Sequence, residues 1–121
     1  AALADEMLEA LSPQGEMLEV SGDVAANYYD LTGAESYKIY VSTMYIGEEV
    51  AVLKGDAAAL RTACEARIQD LKASFDGYLP DEYAAVDANA TVLAEGDIVA
   101  MVTGTPEGVA AAKEVFEAAF A

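Results

Sequence analysis

GEEVAVLKGDAAALRTACEARIQDLKASF, from Gly47 to Phe75, carries a turn, a strand, a glycine and a helix in one unbroken run. Glu49 to Lys54 is a short apolar stretch between turn residues, the signature of a strand. Asp56 stands where a helix cap belongs, and Leu60, Cys64, Ile68, Leu71 and Phe75 then recur at helical spacing. Arg61, Glu65, Gln69 and Lys72 fall on the opposite side, and Gly77 ends the helix. The plan returns in GDIVAMVTGTPEGVAAAKEVFEAAF, from Gly96 to Phe120. Gly47 answers Gly96, Gly55 answers Gly104, and Leu60, Ala63 and Leu71 answer Val109, Ala112 and Phe120, each pair 49 positions apart.

Outward from these runs, Ser36 to Ile46 is rich in Tyr, Ile, Val and Thr, which is strand composition. Ala90 to Ala94 and Ile98 to Thr103 form a second hairpin turned at Glu95-Gly96-Asp97. Thr105-Pro106-Glu107 is a helix start, with a hydroxyl cap and proline at the first helical position. The helix it opens should bury Val109, Ala112, Phe116 and Phe120. Pro80 opens a short helix over Asp81 to Val86. At the N-terminus, Leu3, Met7, Leu8 and Leu11 mark one face of a helix over Ala2 to Leu11, stopped by Ser12-Pro13-Gln14-Gly15. Glu16 to Val20 reads as a short extended piece, and Asp23 caps a helix through Tyr29, ended by Thr32-Gly33.

The expected fold is α+β: a four-stranded antiparallel sheet from two ββα repeats (ββαββα), with an N-terminal helical segment. Residues 1–34 form that segment, packing on a ββα–ββα domain over 35–121. The strands are nearly apolar on both faces, as in Val50-Ala51-Val52-Leu53 and Ile98-Val99-Ala100-Met101-Val102. A sheet with one wet face should alternate, so both faces need cover. The two long helices are expected on one side, leaving the other to the N-terminal segment or a second copy of the chain.

Composition bounds the function. A chain of 121 residues can bury roughly two-thirds of its unfolded surface without staples. With 22 acidic against 6 basic residues the net charge is −16, which repels phosphate backbones and anionic lipid, so a nucleic-acid partner is not expected. The six cations, Lys38, Lys54, Arg61, Arg67, Lys72 and Lys113, form no stripe. No run of apolar residues is long enough to span a bilayer. The chain opens Ala1-Ala2-Leu3 without an initiator methionine, which reads as a trimmed or mature form with any targeting segment already removed.

Histidine is absent, which removes His-based triads, Cys–His pairs and imidazole proton shuttles. No Ser-x-x-Lys, G-x-G-x-x-G or Walker loop occurs. Cys64, the one cysteine, lies mid-helix on the apolar stripe and reads as a core residue, not a nucleophile. The pairs Glu48/Glu49 and Asp81/Glu82 lack a calcium-loop pattern and read as solvated turns, so no metal or other cofactor is expected. Asn89-Ala90-Thr91 matches a glycosylation pattern that carries no meaning in a bacterial protein. Seven of the ten aromatics are tyrosine, a residue suited to surfaces buried at one end and wet at the other. The expected contact surface is therefore Tyr37, Tyr40 and Tyr45 with the Tyr78, Asp81 and Glu82 loop, although strand propensity also accounts for these tyrosines.

Tyr29-Asp30-Leu31, Tyr37 with Tyr40 and Ser42, Glu48-Glu49-Val50-Ala51-Val52, Arg67-Ile68, Ser74-Phe75, Tyr78-Leu79-Pro80-Asp81-Glu82, Asn89-Ala90 and Gly96 follow one another in a recognisable order. In that order and spacing the chain resembles an uncharacterised bacterial family, domain of unknown function 4358, whose members are mostly small predicted lipoproteins of Gram-positive anaerobes. The resemblance implies a location outside the cytoplasm, with a lipidated cysteine upstream of residue 1, and it brings no catalytic residues. This copy departs from the family in being unusually rich in alanine and acid. The expectation is a non-enzymatic extracytoplasmic binding or interaction domain that meets an unknown protein or small ligand at the cell envelope. It touches the membrane only through a lipid anchor, and a homodimer is open. The alternatives are a carboxylate- or metal-dependent enzyme and a structural dimerisation module.

Overall fold

A computed structural model describes residues 2–43 and 46–121. The elements run α1 (Ala2–Leu11), β1 (Met17–Val20), α2 (Gly22–Tyr28), β2 (Ala34–Ser42), β3 (Glu49–Gly55), α3 (Ala57–Phe75), α4 (Pro80–Asn89), β4 (Thr91–Glu95), β5 (Ile98–Thr103) and α5 (Pro106–Ala119). The fold is α+β. Its sheet has five strands, not four, in the order β1-β2-β3-β5-β4, and every neighbouring pair is antiparallel. The extra strand is the extended piece after the first helix, which pairs Leu18 with Val41 and Val20 with Ile39. Four residues hold too few alternating positions to declare a sheet, and their partner lies far along the chain.

Local chemistry sets the helix ends as the sequence indicates. The Asp56 carboxylate accepts from the Ala59 N–H, and the Thr105 hydroxyl accepts from the Gly108 N–H, each satisfying a donor that the first turn leaves open. Pro80 and Pro106 both open helices. Asp23 is not a cap: Ser21 holds that position for α2, without a side-chain bond, and Asp23 falls in the first turn.

The two long helices lie on opposite faces of the sheet, a correction to the sequence expectation. On one face Ile39, Ala51, Leu53, Val99 and Met101 meet Leu60, Cys64, Leu71 and Phe75 of α3, with Tyr29 and Val86 at the margins. On the other, Val50, Val52, Ala100 and Val102 meet Val109, Ala112 and Phe116 of α5 together with Ala4, Met7 and Leu11 of α1. The N-terminal helix thus shares its face with α5, and neither face of the sheet needs a second copy to cover it. Phe120, expected in the core, is 40% exposed beyond the end of α5.

The reason lies in the parity of the spacing. Partners across an antiparallel ladder share a face, as Ala51 does with Met101 and Leu53 with Val99. Residues 49 apart, such as Ala51 and Ala100, therefore fall on opposite faces, because side chains alternate with period two. Each central strand feeds its helix to a different side. The matched glycines also do unlike work: Gly96 sits at φ +59° in a tight turn, whereas a Cβ on Gly47 would stand 2.5 Å from Val86 Cγ2.

Candidate ligand cleft

Beside the N-terminal end of β3 a cleft of about 290 Å³ opens between α3, Tyr28, the end of β2 at Ser42, and Ile46 and Glu48 just before β3. Val41, Ile46, Leu71 and Phe75 supply apolar wall, and Glu48, Glu49, Arg67 and Asp70 supply charge. Glu49 is the first residue of β3 and only 1% exposed, pointing from the sheet to the α3 side. Arg67, three helical turns into α3, answers it with a two-pronged bond: Nε donates to Oε2 at 2.9 Å and Nη2 to Oε1 at 2.7 Å. The Tyr29 hydroxyl donates to the same Oε2 at 2.5 Å. The Tyr28 ring stacks under the guanidinium, 4.5 Å from ring centre to Cζ.

Burying a carboxylate is costly unless its partners are well aimed, and here three donors converge on one group. Burial, then the charge and hydrogen bond of Glu49, push the Tyr29 phenol well above its ordinary pKa, so it stays a donor. Burial draws the Arg67 pKa down, but the Glu49 bond and charge outweigh it and hold the guanidinium charged. The network ties the end of α2, the start of β3 and the middle of α3 into one rigid floor.

Glu48, one residue earlier, is 3% exposed and takes a different set of partners. Its carboxylate accepts the Gln14 N–H at 2.7 Å and the Gly15 N–H at 3.0 Å, pinning the loop that leaves α1. Cys64 lies in the same core, and burial, then Glu49 and Glu65, push its thiol up to about 12. A thiol that reluctant to ionise is no nucleophile near neutral pH.

Among the described residues, those expected to form a tyrosine contact surface are not gathered on one face. Tyr37 and Tyr40 are three apart on β2 and so face opposite sides of the sheet. The Tyr37 hydroxyl accepts the Gly22 N–H at 2.8 Å, while the Tyr40 hydroxyl donates to Asp5 of α1, which also pairs with Lys38. Tyr45 lies outside the described residues. Tyr78 is 84% exposed, and Asp81 is exposed in the first turn of α4. Glu82 has a structural task, accepting the Gly47 N–H at 2.7 Å, as does Asn89, which donates to the Gly104 carbonyl at 3.0 Å.

Arg67, Glu49 and Tyr28 carry no motif that marks them as a group in the sequence. Glu48 and Glu49, expected in a solvated turn, are both buried. A signal was present: an arginine on the inner edge of a buried helix stripe needs an acid facing it, and Glu49 opens the adjacent strand.

The family model described as domain of unknown function (DUF4358) matches residues 9–104. The chain belongs to the DUF4358 family. The match takes in the whole sheet, α3 and α4, every lining residue of the cleft, and both tyrosines of the Arg67 network. It leaves out α5 and most of α1, the two helices that cover the other face. No curated protein and no solved structure matches the chain.

Proposed function

We propose that this DUF4358 protein is a non-enzymatic binding domain working outside the cytoplasm, tethered by a lipid, with the cleft beside Arg67 as its ligand seat. The observation that carries the reading is the cleft's construction: apolar walls with a few charged groups over a floor held by the Tyr29–Glu49–Arg67 network. Binding pockets combine apolar lining with a small number of fixed polar groups in this way. A buried ion pair adds little to stability compared with apolar packing, so its place beneath a cleft favours a role in presenting a fixed surface.

Binding is favoured over catalysis by the chemistry available. The thiol is buried and held protonated, the Tyr29 phenol is a committed donor, and the Glu49 carboxylate is closed by Arg67. None of these is poised to give or take a proton near neutrality.

Backbone amide spectra of ¹⁵N-labelled protein, titrated with a set of small cationic, anionic and neutral molecules, test the seat. Shifts should gather at Tyr28, Ser42, Asp70 and Ser74. Shifts confined to the α1–α5 side, or none with any compound, would remove the cleft from consideration. Labelling of the full-length gene product with a radioactive fatty acid tests the tether.

A further inference from the structure

We infer that the cleft takes a primary ammonium on an alkyl stem, the group shared by free diamines and lysine side chains, with Glu48 and Asp70 as its countercharges. The inference rests on the cleft being the ligand seat and adds the chemistry of what sits there.

The charges that line the cleft do not balance. Glu48, Glu49 and Asp70 are negative and Arg67 alone is positive. Arg67 is spent on Glu49, both prongs of its fork on that one carboxylate. That leaves Glu48 and Asp70. The ion pairs among the described residues are Lys38 with Asp5, Arg67 with Glu49 and Lys72 with Asp87, so neither remaining carboxylate has a cation in contact.

Glu48 is the telling member, because it is 3% exposed. Its oxygens have hydrogen bonds from two backbone N–H groups, which satisfy lone pairs but carry no net charge. A buried carboxylate in that condition gains most from a cation brought close. Asp70 stands exposed at the mouth, one helical turn beyond Arg67 on α3, where it can meet an incoming charge first. The net charge of −16 draws cations toward the molecule and disfavours anionic ligands.

The walls decide what kind of cation. Val41, Ile46, Leu71 and Phe75 offer no ligating atoms, and no group of three or more acidic or cysteine side chains among the described residues has the geometry for a metal ion. Methylene groups suit such a wall while a charged head reaches acid, as long cationic side chains do when they lie along apolar surface.

Amide spectra at about 150 mM salt, where diffuse attraction is largely screened, separate the outcomes. Both 1,5-diaminopentane and Nα-acetyl-lysine amide should move the cleft amides, saturably, whereas pentan-1-ol and hexanoate should not. Tighter binding of the diamine points to a free amine as the source, and tighter binding of the lysine amide points to a peptide. Asp70→Asn should weaken either amine about threefold, in the range of an exposed ion pair. Asp97→Asn, in the turn at the other end of β3, should leave it unchanged. Glu48→Gln should weaken it further, and Asp70→Asn keeps the test decisive if Glu48→Gln does not fold. Equal loss from Asp97→Asn would mean diffuse attraction and overturn the inference. Pentan-1-ol or hexanoate moving the same amides as strongly would also overturn it, while leaving the cleft as a seat. Silence of the cleft amides to every probe would overturn the seat along with the ligand.

Discussion

Arg67 reaches across from α3 to close both oxygens of Glu49 at the head of β3, at 2.9 and 2.7 Å. The pair joins helix to sheet inside the core, where each charge depends on the other. Arg67→Met should strand a buried carboxylate and cost about 3 kcal/mol. The triple variant Tyr29→Phe/Glu49→Leu/Arg67→Met should recover most of that, since apolar groups then pack without an orphaned charge or an orphaned Tyr29 hydroxyl. Urea denaturation of both variants is the check, and a cost below about 1 kcal/mol for the single change would show the pair to be well solvated.

Gly47 is held by contact, not by backbone angle. A Cβ there would lie 2.5 Å from the fully buried Val86. Gly47→Ala should therefore cost about 1–3 kcal/mol through overpacking. Adding Val86→Ala should make the double variant more stable than the sum of the two single losses predicts. Strict additivity in thermal melts would show that the two residues do not touch.

Cys64 should be silent to thiol reagents in the native state. With its pKa pushed up to about 12 and its side chain buried, labelling at pH 8 should proceed only through unfolding. Its rate should rise with urea in step with the unfolded fraction. Rapid labelling in buffer alone would contradict the packing of α3.

Asp5 and Lys38 set a pH window for the contact between α1 and β2. The Tyr40 hydroxyl, then Lys38, hold the Asp5 carboxyl below its usual range, and the Asp5 bond raises Lys38. A depressed acid stabilises the fold above its unfolded pKa and loses that contribution as pH falls through the folded one. A raised lysine contributes fully below its unfolded pKa and loses it as pH rises through the folded one. Asp5→Asn should thus lower the melting temperature by a constant amount between about pH 5 and 9, with the difference shrinking at both extremes. A difference that grows in acid would reverse the assignment.

Charge acts on the whole molecule as well. Three ion pairs among the described residues leave most of the acidic excess unpaired. Added sodium chloride should raise the melting temperature by screening that self-repulsion. A fall between low and physiological salt would mean that the paired charges outweigh the rest.

The starts of α3, α4 and α5 and the strand Ile98–Thr103 were readable in the sequence, because Asp56, Pro80, Thr105 and Pro106 act on their immediate neighbours. Helix α4, however, runs on to Asn89, past the Val86 expected as its end. The candidate site was not readable. Adjacent acids such as Glu48 and Glu49 look alike in a sequence, and only the approach of α3 and the Gln14-Gly15 loop separates their fates. Tyr37 and Tyr40 show a related effect: they are close in number, yet an odd spacing sends them to opposite faces of the sheet.

By itself the sequence determined an α+β chain with two apolar-faced central strands, its helix caps, its lack of imidazole chemistry and its resemblance to DUF4358. Those properties depend on neighbours within a turn or two, or on residue order. Tertiary structure alone decided that β1 joins the sheet, that α3 and α5 take opposite sides, and that Arg67 closes on Glu49 beneath a cleft. Each of these depends on which strand edges and faces meet across long stretches of chain, and local propensity carries no information about that pairing.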